Sequence, residues 1–281
     1  MNAKSKITFL VFTCFCLLSS NVWATGNIDT TNKNAWAENV GWANAAPVNG
    51  GVTVCFNGTS GYLTGYAWGE NIGWIKLGDS SGGPYNNISD TDWGVNLNGA
   101  GNLTGYAWGE NVGWIKFNPD HSAVTIDMTI GRLNGNAWGE NIGWVCFKGT
   151  APDYNVRTLA FDQQPQGTPN WWLANYGIGD ENYVGVKGIP AWQDYVANTN
   201  PTNLNSYLRI TAISKPPAAT VYFPSSAKRY YTLQRRSNLL SGDWTNVSAQ
   251  VGIQGSGGIY SLQDTTSDTR QFYRVTVNVS P

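Results

Sequence analysis

The sequence is short of the residues from which most enzyme active sites are built. It contains one histidine, His121, in 281 residues, and no recognisable nucleophile motif accompanies it. A zinc site with several histidine ligands is therefore excluded, and a Ser/His/Asp or Cys/His triad has a single candidate base. His121 follows Pro119-Asp120, so we expect it in a polar loop. We predict no catalytic residue, no metal site and no cofactor.

Charged residues are also scarce. Asp, Glu, Lys and Arg make up 12% of the chain, with 17 basic and 18 acidic side chains. Beyond the pairs Lys228-Arg229 and Arg235-Arg236 there is no cluster of basic residues, whereas a nucleic-acid groove needs a concentrated basic stripe. Nucleic acid is therefore not expected as a partner.

Long apolar runs are missing as well, apart from one near the N-terminus. Ile7 to Leu18 is apolar but shorter than the roughly 20 residues that span a bilayer. Lys4 and Lys6 precede it and Val22-Trp23-Ala24 offers small residues for cleavage, which is the layout of a secretory signal peptide. We expect residues 1–24 to be removed and the mature protein to be secreted, extracellular or associated with the cell surface, without a membrane span.

Two cysteines, Cys55 and Cys146, follow the expected cleavage site. In an oxidising compartment two cysteines favour one disulfide over a metal site. Such a bridge would require the chain between them to bend or close. The alternative is two separate buried thiols, because free cysteine is often a core residue.

One motif occurs four times and holds eight of the 14 tryptophans. The copies run from Asn34 to Trp42, Tyr66 to Trp74, Tyr106 to Trp114 and Asn136 to Trp144. The last three share the core Ala-Trp-Gly-Glu-Asn-Ile/Val-Gly-Trp, and spacings of this size signal repeat architectures. One longer gap contains an insertion, Asp79 to Asp92. It is rich in oxygen donors but lacks the spacing of a known calcium loop, so we expect a solvated turn.

Short strands between turn signals surround each copy and predict a three-stranded meander in which the motif forms a hairpin. The first copy lacks a preceding strand, and residues 155–161 after the last copy look like an orphan first strand. Their pairing with the first hairpin would remove both exposed sheet edges. We therefore predict an all-β repeat domain over residues 25–162. It should be closed in a propeller-like, prism-like or barrel-like arrangement rather than an open solenoid.

The hairpin turn leaves two registers open. A two-residue Glu70-Asn71 loop places Trp68 opposite Gly73, whereas a three-residue loop pairs Trp68 with Trp74 on one face. The first alternative packs an indole over a glycine. The second builds an aromatic ladder.

The composition changes after residue 162. Residues 163–205 read as a linker with short helices, one of which Pro190 opens. From 206 to 281 the spacing of short strands predicts a small β-sandwich of the fibronectin type III kind. The predicted chain is therefore all-β, with two folded domains joined by a linker.

Two parts of the chain resemble known proteins. The Ala-Trp-Gly-Glu-Asn-Ile-Gly-Trp copies resemble repeats in exported bacterial surface proteins. The tail resembles C-terminal modules of secreted multi-domain bacterial proteins, through Tyr231-Thr-Leu-Gln-Arg-Arg-Ser-Asn-Leu239, Gly242-Asp-Trp244 and Phe272-Tyr-Arg-Val275. In such proteins the module often follows a calcium-binding segment similar to thrombospondin type 3 repeats. The resemblances imply export and architecture rather than an activity.

The segment that corresponds to this calcium loop is Tyr183-Val-Gly-Val-Lys-Gly188, followed by Trp192-Gln-Asp-Tyr195. Its three ligand positions hold Tyr183, Gly185 and Lys187, while Gly188 and the closing acid Asp194 match the pattern. Calcium takes six to eight oxygen ligands, so the resemblance implies a degenerate loop that has lost most of its carboxylates. An ammonium group at Lys187 would repel the cation.

The most suggestive binding residues are the polar and aromatic positions of the repeat. Sugar sites stack an aromatic face against C–H groups and use nearby carboxylates or amides for the hydroxyls. The tryptophans themselves are expected in the core, because Trp and Gly at fixed positions also pack neighbouring units together. The hairpin tips are expected to be exposed. The candidate ligand-binding residues are Tyr66, Glu70, Asn71, Tyr106, Glu110, Asn111, Glu140 and Asn141.

We therefore expect a secreted, non-catalytic protein that binds a polysaccharide or another cell-surface component through its repeats. One alternative is a structural spacer or assembly protein of the cell surface, in which every motif tryptophan is a core residue. The other is a polysaccharide-degrading enzyme, in which two motif glutamates act roughly 5 to 10 Å apart. The enzyme ranks last, because equivalent acids in a repeat more often serve the turn.

Overall fold

The structure is a computed structural model that describes residues 26–215, 217–266 and 270–281. The expected signal peptide, residues 1–24, lies outside these ranges. The protein is mostly β, with 44% strand and 5% helix. Its strands form one large antiparallel sheet that runs nearly in a ring, and two small antiparallel sheets. The predicted all-β class is therefore confirmed.

The large sheet contains 14 strands. In chain order they are β1 (Ile28–Ala37), β2 (Gly41–Asn44), β3 (Gly51–Phe56), β4 (Gly61–Gly69), β5 (Gly73–Lys76), β6 (Val95–Leu97), β7 (Leu103–Gly109), β8 (Gly113–Lys116), β9 (Thr125–Asp127), β10 (Arg132–Asn134), β11 (Asn136–Gly139), β12 (Gly143–Cys146), β13 (Lys148–Thr150) and β14 (Asp153–Thr158). The pairs β1–β2, β4–β5, β7–β8 and β11–β12 are the hairpins of the four motif copies.

The four hairpins lie side by side around the ring. Strand β2 pairs with β4, β5 with β7, and β8 with β11, so each hairpin is hydrogen-bonded to the next. The last hairpin returns to the first through β12 and β1, where Trp36 lies opposite Cys146 and Ala37 opposite Val145. One continuous sheet therefore joins all four repeats.

The predicted pairing of the strand after the last copy with the first hairpin is confirmed. Strand β14 pairs antiparallel with β1, with Ile28 opposite Thr158 and Lys33 opposite Val156. In the other repeats β3 pairs with β4, β6 with β7, and β9 with β10. Each of these strands precedes its motif in the sequence. The first copy has no such preceding strand, and β14 from the end of the repeat domain takes that position beside β1.

Each hairpin adopts the three-residue loop. Trp68 lies opposite Trp74 and Gly69 opposite Gly73, which leaves residues 70–72 as the loop. The other three copies have the same register. Gly73 has a φ of 78°, and a residue in this region after a turn is the usual end of a three-residue hairpin loop. Both tryptophans of a hairpin therefore lie on one face of the sheet.

The opposite face of the motif strands forms the main core. Its buried residues are Ala35, Ala37, Ala43, Ala67, Ile75, Ala107, Ile115, Ala137 and Val145. The third loop residues Ile72, Val112 and Ile142 are buried beside them. Because side chains alternate across a strand, the tryptophans must face outward. The expectation that the motif tryptophans are core residues is therefore wrong.

The linker contains two short helices, α1 (Asn170–Asn175) and α2 (Ala191–Ala197). Helix α2 follows Pro190, as the sequence predicts. The buried carboxylate of Glu181 accepts hydrogen bonds from the backbone N–H groups of Gln166 (2.7 Å) and Thr168 (3.4 Å), which connects the loop between the helices to the segment before α1. Across the described residues, no helix is both long enough and apolar enough to cross a membrane.

The tail forms the two small sheets from β15 (Ala212–Ser214), β16 (Ala219–Pro224), β17 (Tyr230–Arg236), β18 (Thr245–Asn246), β19 (Ile253–Gln254), β20 (Ile259–Asp264) and β21 (Phe272–Asn278). Strands β15, β16 and β20 form one sheet, and β17, β18, β19 and β21 the other. Their shared buried cluster consists of Val221, Phe223, Tyr231, Leu233, Val247 and Leu262. The linker contacts the tail through Arg229, which donates to Val196 O at 2.8 Å and lies over the Tyr195 ring.

Each of the last three motif copies is directly preceded by a glycine whose positive φ departs from extended backbone, and we call this feature the bend. These glycines are Gly65, Gly105 and Gly135, with φ of 85°, 93° and 81°. A methyl group on Gly135 would lie 1.9 Å from the carbonyl oxygen of Ala123. No side chain fits there without displacing the backbone.

We predict that Gly135→Ala lowers the free energy of unfolding by at least about 2 kcal/mol, because it adds an unfavourable φ to a backbone clash. The control is Gly179→Ala, where a methyl group meets no atom within 4 Å and φ is not positive. Gly179→Ala should change the free energy of unfolding by less than about 0.5 kcal/mol. Urea denaturation measures both. Equal stabilities of the two variants would contradict the bend.

Candidate functional site

An aromatic belt surrounds the outside of the ring of strands. We use this name for four cross-strand tryptophan pairs, Trp36–Trp42, Trp68–Trp74, Trp108–Trp114 and Trp138–Trp144. The ring centroids within the pairs lie 4.9, 4.9, 4.7 and 4.9 Å apart, and the planes cross at 72°, 72°, 66° and 66°. Edge-to-face aromatic pairs contribute about 0.5–1.5 kcal/mol beyond burial. The belt is therefore held in place by its own contacts.

Each pair leaves one indole open to solvent. The exposed fractions are 37% for Trp36, 38% for Trp68, 44% for Trp114 and 37% for Trp138. Tryptophan is highly buried on average, so the same partial exposure in four repeats is unusual. Exposed apolar surface of this kind commonly marks a binding site.

Hydrogen-bonding groups stand between neighbouring pairs. Asn44 lies opposite Trp68, Lys76 opposite Trp108, Lys116 opposite Trp138, and Cys146 opposite Trp36. The belt thus alternates indole faces with an amide, two ammonium groups and a thiol. Sequence reasoning missed these residues and the exposure of the tryptophans. The signal was present, because Ala and Ile or Val occupy the alternate positions and form a complete inner face.

The predicted residues Tyr66 and Tyr106 lie in the belt. The Tyr66 ring meets Trp74 edge-on with centroids 6.0 Å apart, and Tyr106 meets Trp114 at the same distance. Tyr66 is 39% exposed, and Tyr106 is half-buried. Both tyrosines widen the aromatic surface of the second and third repeats.

The predicted asparagines join the hairpin tips to one another. Asn71 Nδ2 donates to Val40 O, Asn111 Nδ2 to Ile72 O, and Asn141 Nδ2 to Val112 O, each at 3.0 Å. Every acceptor lies in the tip of the preceding hairpin. We call these three bonds the asparagine clasp. One amide N–H of each asparagine therefore serves the fold.

The predicted glutamates Glu70, Glu110 and Glu140 are exposed at the same end of the ring, as expected for hairpin tips. The backbone N–H of Glu70 donates to Trp42 O at 3.0 Å, and that of Glu110 to Trp74 O at 3.4 Å. Their backbones thus belong to the contact between hairpins. Each carboxylate stands two residues from a belt tryptophan, at the rim of the aromatic surface.

The inside of the ring is not a comparable site. It holds an apolar cavity of about 60 Å³, lined by residues such as Ala67, Ile75 and Phe117. An engineered cavity that binds benzene measures about 150 Å³. A sugar ring is larger than benzene and polar, so the ring interior excludes it.

Cys55 and Cys146 are free thiols, and the predicted disulfide is not formed. Cys55 lies in β3 opposite Tyr62, and Cys146 lies in β12 opposite Asn136. The ring closes through pairing with β1, which does not bring β3 beside β12. Burial raises the pKa of both thiols, which makes them poor nucleophiles at neutral pH.

The insertion from Asp79 to Asp92 is held by hydrogen bonds within itself and to strand β6. The Asp92 carboxylate accepts from Asn86 N at 3.0 Å and Asn86 Nδ2 at 2.8 Å. Tyr85 is buried, and its N–H donates to Asn96 Oδ1 at 2.8 Å. Within the described ranges no three His, Cys, Asp or Glu side chains group as metal ligands would. The geometry fits the turn that the sequence predicts.

The degenerate calcium loop contains a lysine in place of a cation. The Lys187 ammonium and the Asp194 carboxylate form an ion pair in which both side chains are 1% exposed. Lys187 also donates to Ser206 O at 2.8 Å and lies over the Tyr207 ring at 5.1 Å. Because the ammonium already neutralises Asp194, the residues present do not fit calcium, which would need several more oxygen ligands.

We predict that Asn111→Ala lowers the free energy of unfolding by about 0.5–1.5 kcal/mol, because the bond from the clasp to Ile72 O is lost. The matched control is the neighbouring exposed residue. Glu110→Gln should change stability by less than about 0.5 kcal/mol. Chemical denaturation of both variants measures the difference. A larger loss of stability in Glu110→Gln than in Asn111→Ala would mean that the Glu110 carboxylate, and not the Asn111 amide, holds the hairpin tips together.

We predict that Lys187→Met lowers the free energy of unfolding by roughly 3–5 kcal/mol, because the buried Asp194 carboxylate loses its cationic partner and keeps only the hydrogen bond from the Thr199 hydroxyl. The double variant Lys187→Met, Asp194→Leu should recover most of this loss, since it removes both charges. Addition of EDTA should leave the Tm of the unmodified protein unchanged. Thermal unfolding tests all three. A clear fall of the Tm in EDTA would contradict the role of the lysine.

Comparison with known proteins gives no identification. The chain matches no protein-family model, no curated protein and no solved structure. We therefore infer function from the aromatic belt, from the groups between its tryptophan pairs and from the hairpin tips.

Proposed function

We propose that this is a non-catalytic protein that binds a polysaccharide through its aromatic belt. The observation that carries the proposal is the partial exposure of one indole in each of four rigid pairs. Packing alone does not require this exposure, because the core beneath the strands is already filled by alanine and branched aliphatic side chains.

The chemistry of the belt suits sugars. An indole presents a flat apolar face to the C–H groups of a pyranose, and the neighbouring polar groups take its hydroxyls. Asn44, Lys76 and Lys116 supply donors between the pairs, and the tip glutamates supply acceptors at the rim. The balanced charge of the chain favours a neutral polymer over a polyanion.

The repetition of the belt suits a polymer. Four similar pairs on one ring can contact several sugar units of one polysaccharide, or several polysaccharide molecules. Once one pair is bound, the others meet the same polymer at a high effective concentration, so weak individual contacts give a higher overall affinity. The export signal that we predict at residues 1–24 agrees with this proposal, because extracellular and cell-surface polysaccharides lie on the outer side of the membrane. We place the mature protein there.

The two alternative functions fit less well. A structural spacer with core tryptophans does not account for four exposed indoles, although the asparagine clasp would suit a rigid assembly. A polysaccharide-degrading enzyme needs two carboxylates in different environments. The tip glutamates instead occupy equivalent exposed turns.

We also infer finer features of the fold. Neighbouring hairpins share one sheet, which favours a closed, barrel-like repeat domain over a propeller of separate blades. The two small sheets around one core support a fibronectin type III-like tail. These features agree with domains at residues 25–162 and 206–281, with a linker at 163–205.

The proposal is tested by binding of the mature protein to soluble neutral glucans, mannans and xylans, with calorimetry as the measurement. The double variant Trp68→Ala, Trp114→Ala should weaken polymer binding at least about tenfold, because two stacking faces are lost. Trp244→Ala in the tail is the control and should bind normally. Failure of the unmodified protein to bind any polysaccharide or isolated cell envelope would contradict the proposal.

A further inference from the structure

The fourth tryptophan pair differs from the other three in what lies beside it. Tyr154 packs edge-on against Trp42 with centroids 4.9 Å apart. Tyr66 covers Trp74 in the second repeat, and Trp93 lies 5.1 Å from Trp114 in the third. Each of these three pairs therefore has an additional aromatic neighbour from the chain itself.

The pair Trp138–Trp144 has no such neighbour among the described residues. Asn136 stands where the second and third repeats have tyrosine, and it lies opposite Cys146. The flank of this pair is instead an open cleft of about 370 Å³, lined by Lys116, Pro119, Asp120, His121, Trp138 and Trp144. This volume falls within the range of about 300–1,000 Å³ that small-ligand sites occupy.

The loop that forms the far wall of the cleft is anchored to the ring at both ends. Asn118 Oδ1 accepts a hydrogen bond from Gly105 N at 3.1 Å. Ser122 Oγ accepts one from Asn136 N at 3.2 Å, and Ser122 N donates to Pro119 O at 3.2 Å. The cleft is thus formed before a ligand arrives, and binding does not have to order the loop.

The polar groups of the cleft carry little net charge. Lys116 Nζ lies 3.8 Å from Asp120 Oδ1, and the Asp120 side chain is 89% exposed. His121, the single histidine of the chain, is exposed beside them. An ammonium, an imidazole and a carboxylate supply both donors and acceptors, while the two indoles supply an apolar wall. This combination suits a ring with several neutral hydroxyl groups rather than an anion.

We propose that this cleft is the principal subsite of the belt and that it holds one pyranose ring of a neutral polysaccharide. The inference rests on the proposed function and adds to it, because it selects one of four similar tryptophan pairs. The sugar lies against Trp138 and Trp144. Its hydroxyls accept from Lys116, donate to Asp120 and exchange hydrogen bonds with His121.

The test uses calorimetry with four hexasaccharides, made of β-1,4-linked glucose, mannose or xylose and of α-1,4-linked glucose. Trp138→Ala is compared with Trp68→Ala, because the two indoles are 37% and 38% exposed in equivalent positions. One hexasaccharide should bind the unmodified protein and the tail control Trp244→Ala within about twofold of each other. Trp68→Ala, which removes a belt indole outside the cleft, should weaken its binding by a clearly smaller factor than Trp138→Ala. Trp138→Ala should weaken its binding by at least about tenfold, and His121→Ala by a smaller factor.

Equal weakening by Trp68→Ala and Trp138→Ala would overturn the subsite but leave the belt as the binding surface. Binding of polymers without binding of any hexasaccharide would overturn it too, since a preformed subsite accepts a short chain. Failure of every sugar and polymer to bind would overturn the proposed function as well. His121 lies on an exposed loop, so His121→Ala keeps the test valid if Trp138→Ala does not fold.

Discussion

A glycine with positive φ ends each three-residue hairpin loop, and this backbone requirement sets the register of all eight motif strands. A shift of one residue would turn every side chain to the other face. With the observed register, alanine and branched aliphatic residues fill the ring and both tryptophans of each hairpin face outward. The core, the aromatic belt and the exposed tips all follow from this one turn.

The repeats also depend on contacts between units. Hairpins pair edge to edge, the asparagine clasp joins their tips, and β14 supplies to the first copy the strand that precedes the others in sequence. No edge of the hairpin array is left unpaired at the junction of first and last copies. A sheet with protected edges resists aggregation, which matters for a protein whose outer face carries exposed tryptophans.

The sequence predicts much of this architecture and less of the site. The orphan strand after the last copy and the motif spacing predict the pairing with the first hairpin, because each repeat needs the same three strands. Composition does not determine the loop length, so the pairing of Trp68 with Trp74 could not be derived. The outward position of the tryptophans could have been derived, because alanine and branched aliphatic residues occupy the alternate positions. The prediction of a disulfide between Cys55 and Cys146 was wrong for a related reason. The spacing of the two cysteines in the sequence does not show which strands are neighbours in the ring.

Acrylamide quenching of tryptophan fluorescence tests the central claim most directly, because it reports how many indoles face solvent and whether a sugar covers them. The account predicts that a large fraction of the emission of the mature protein is quenched and that one neutral polysaccharide protects it. Variants of the linker and tail tryptophans assign the signal to the belt. Blue-shifted emission that resists acrylamide and is unchanged by every polysaccharide would contradict the account.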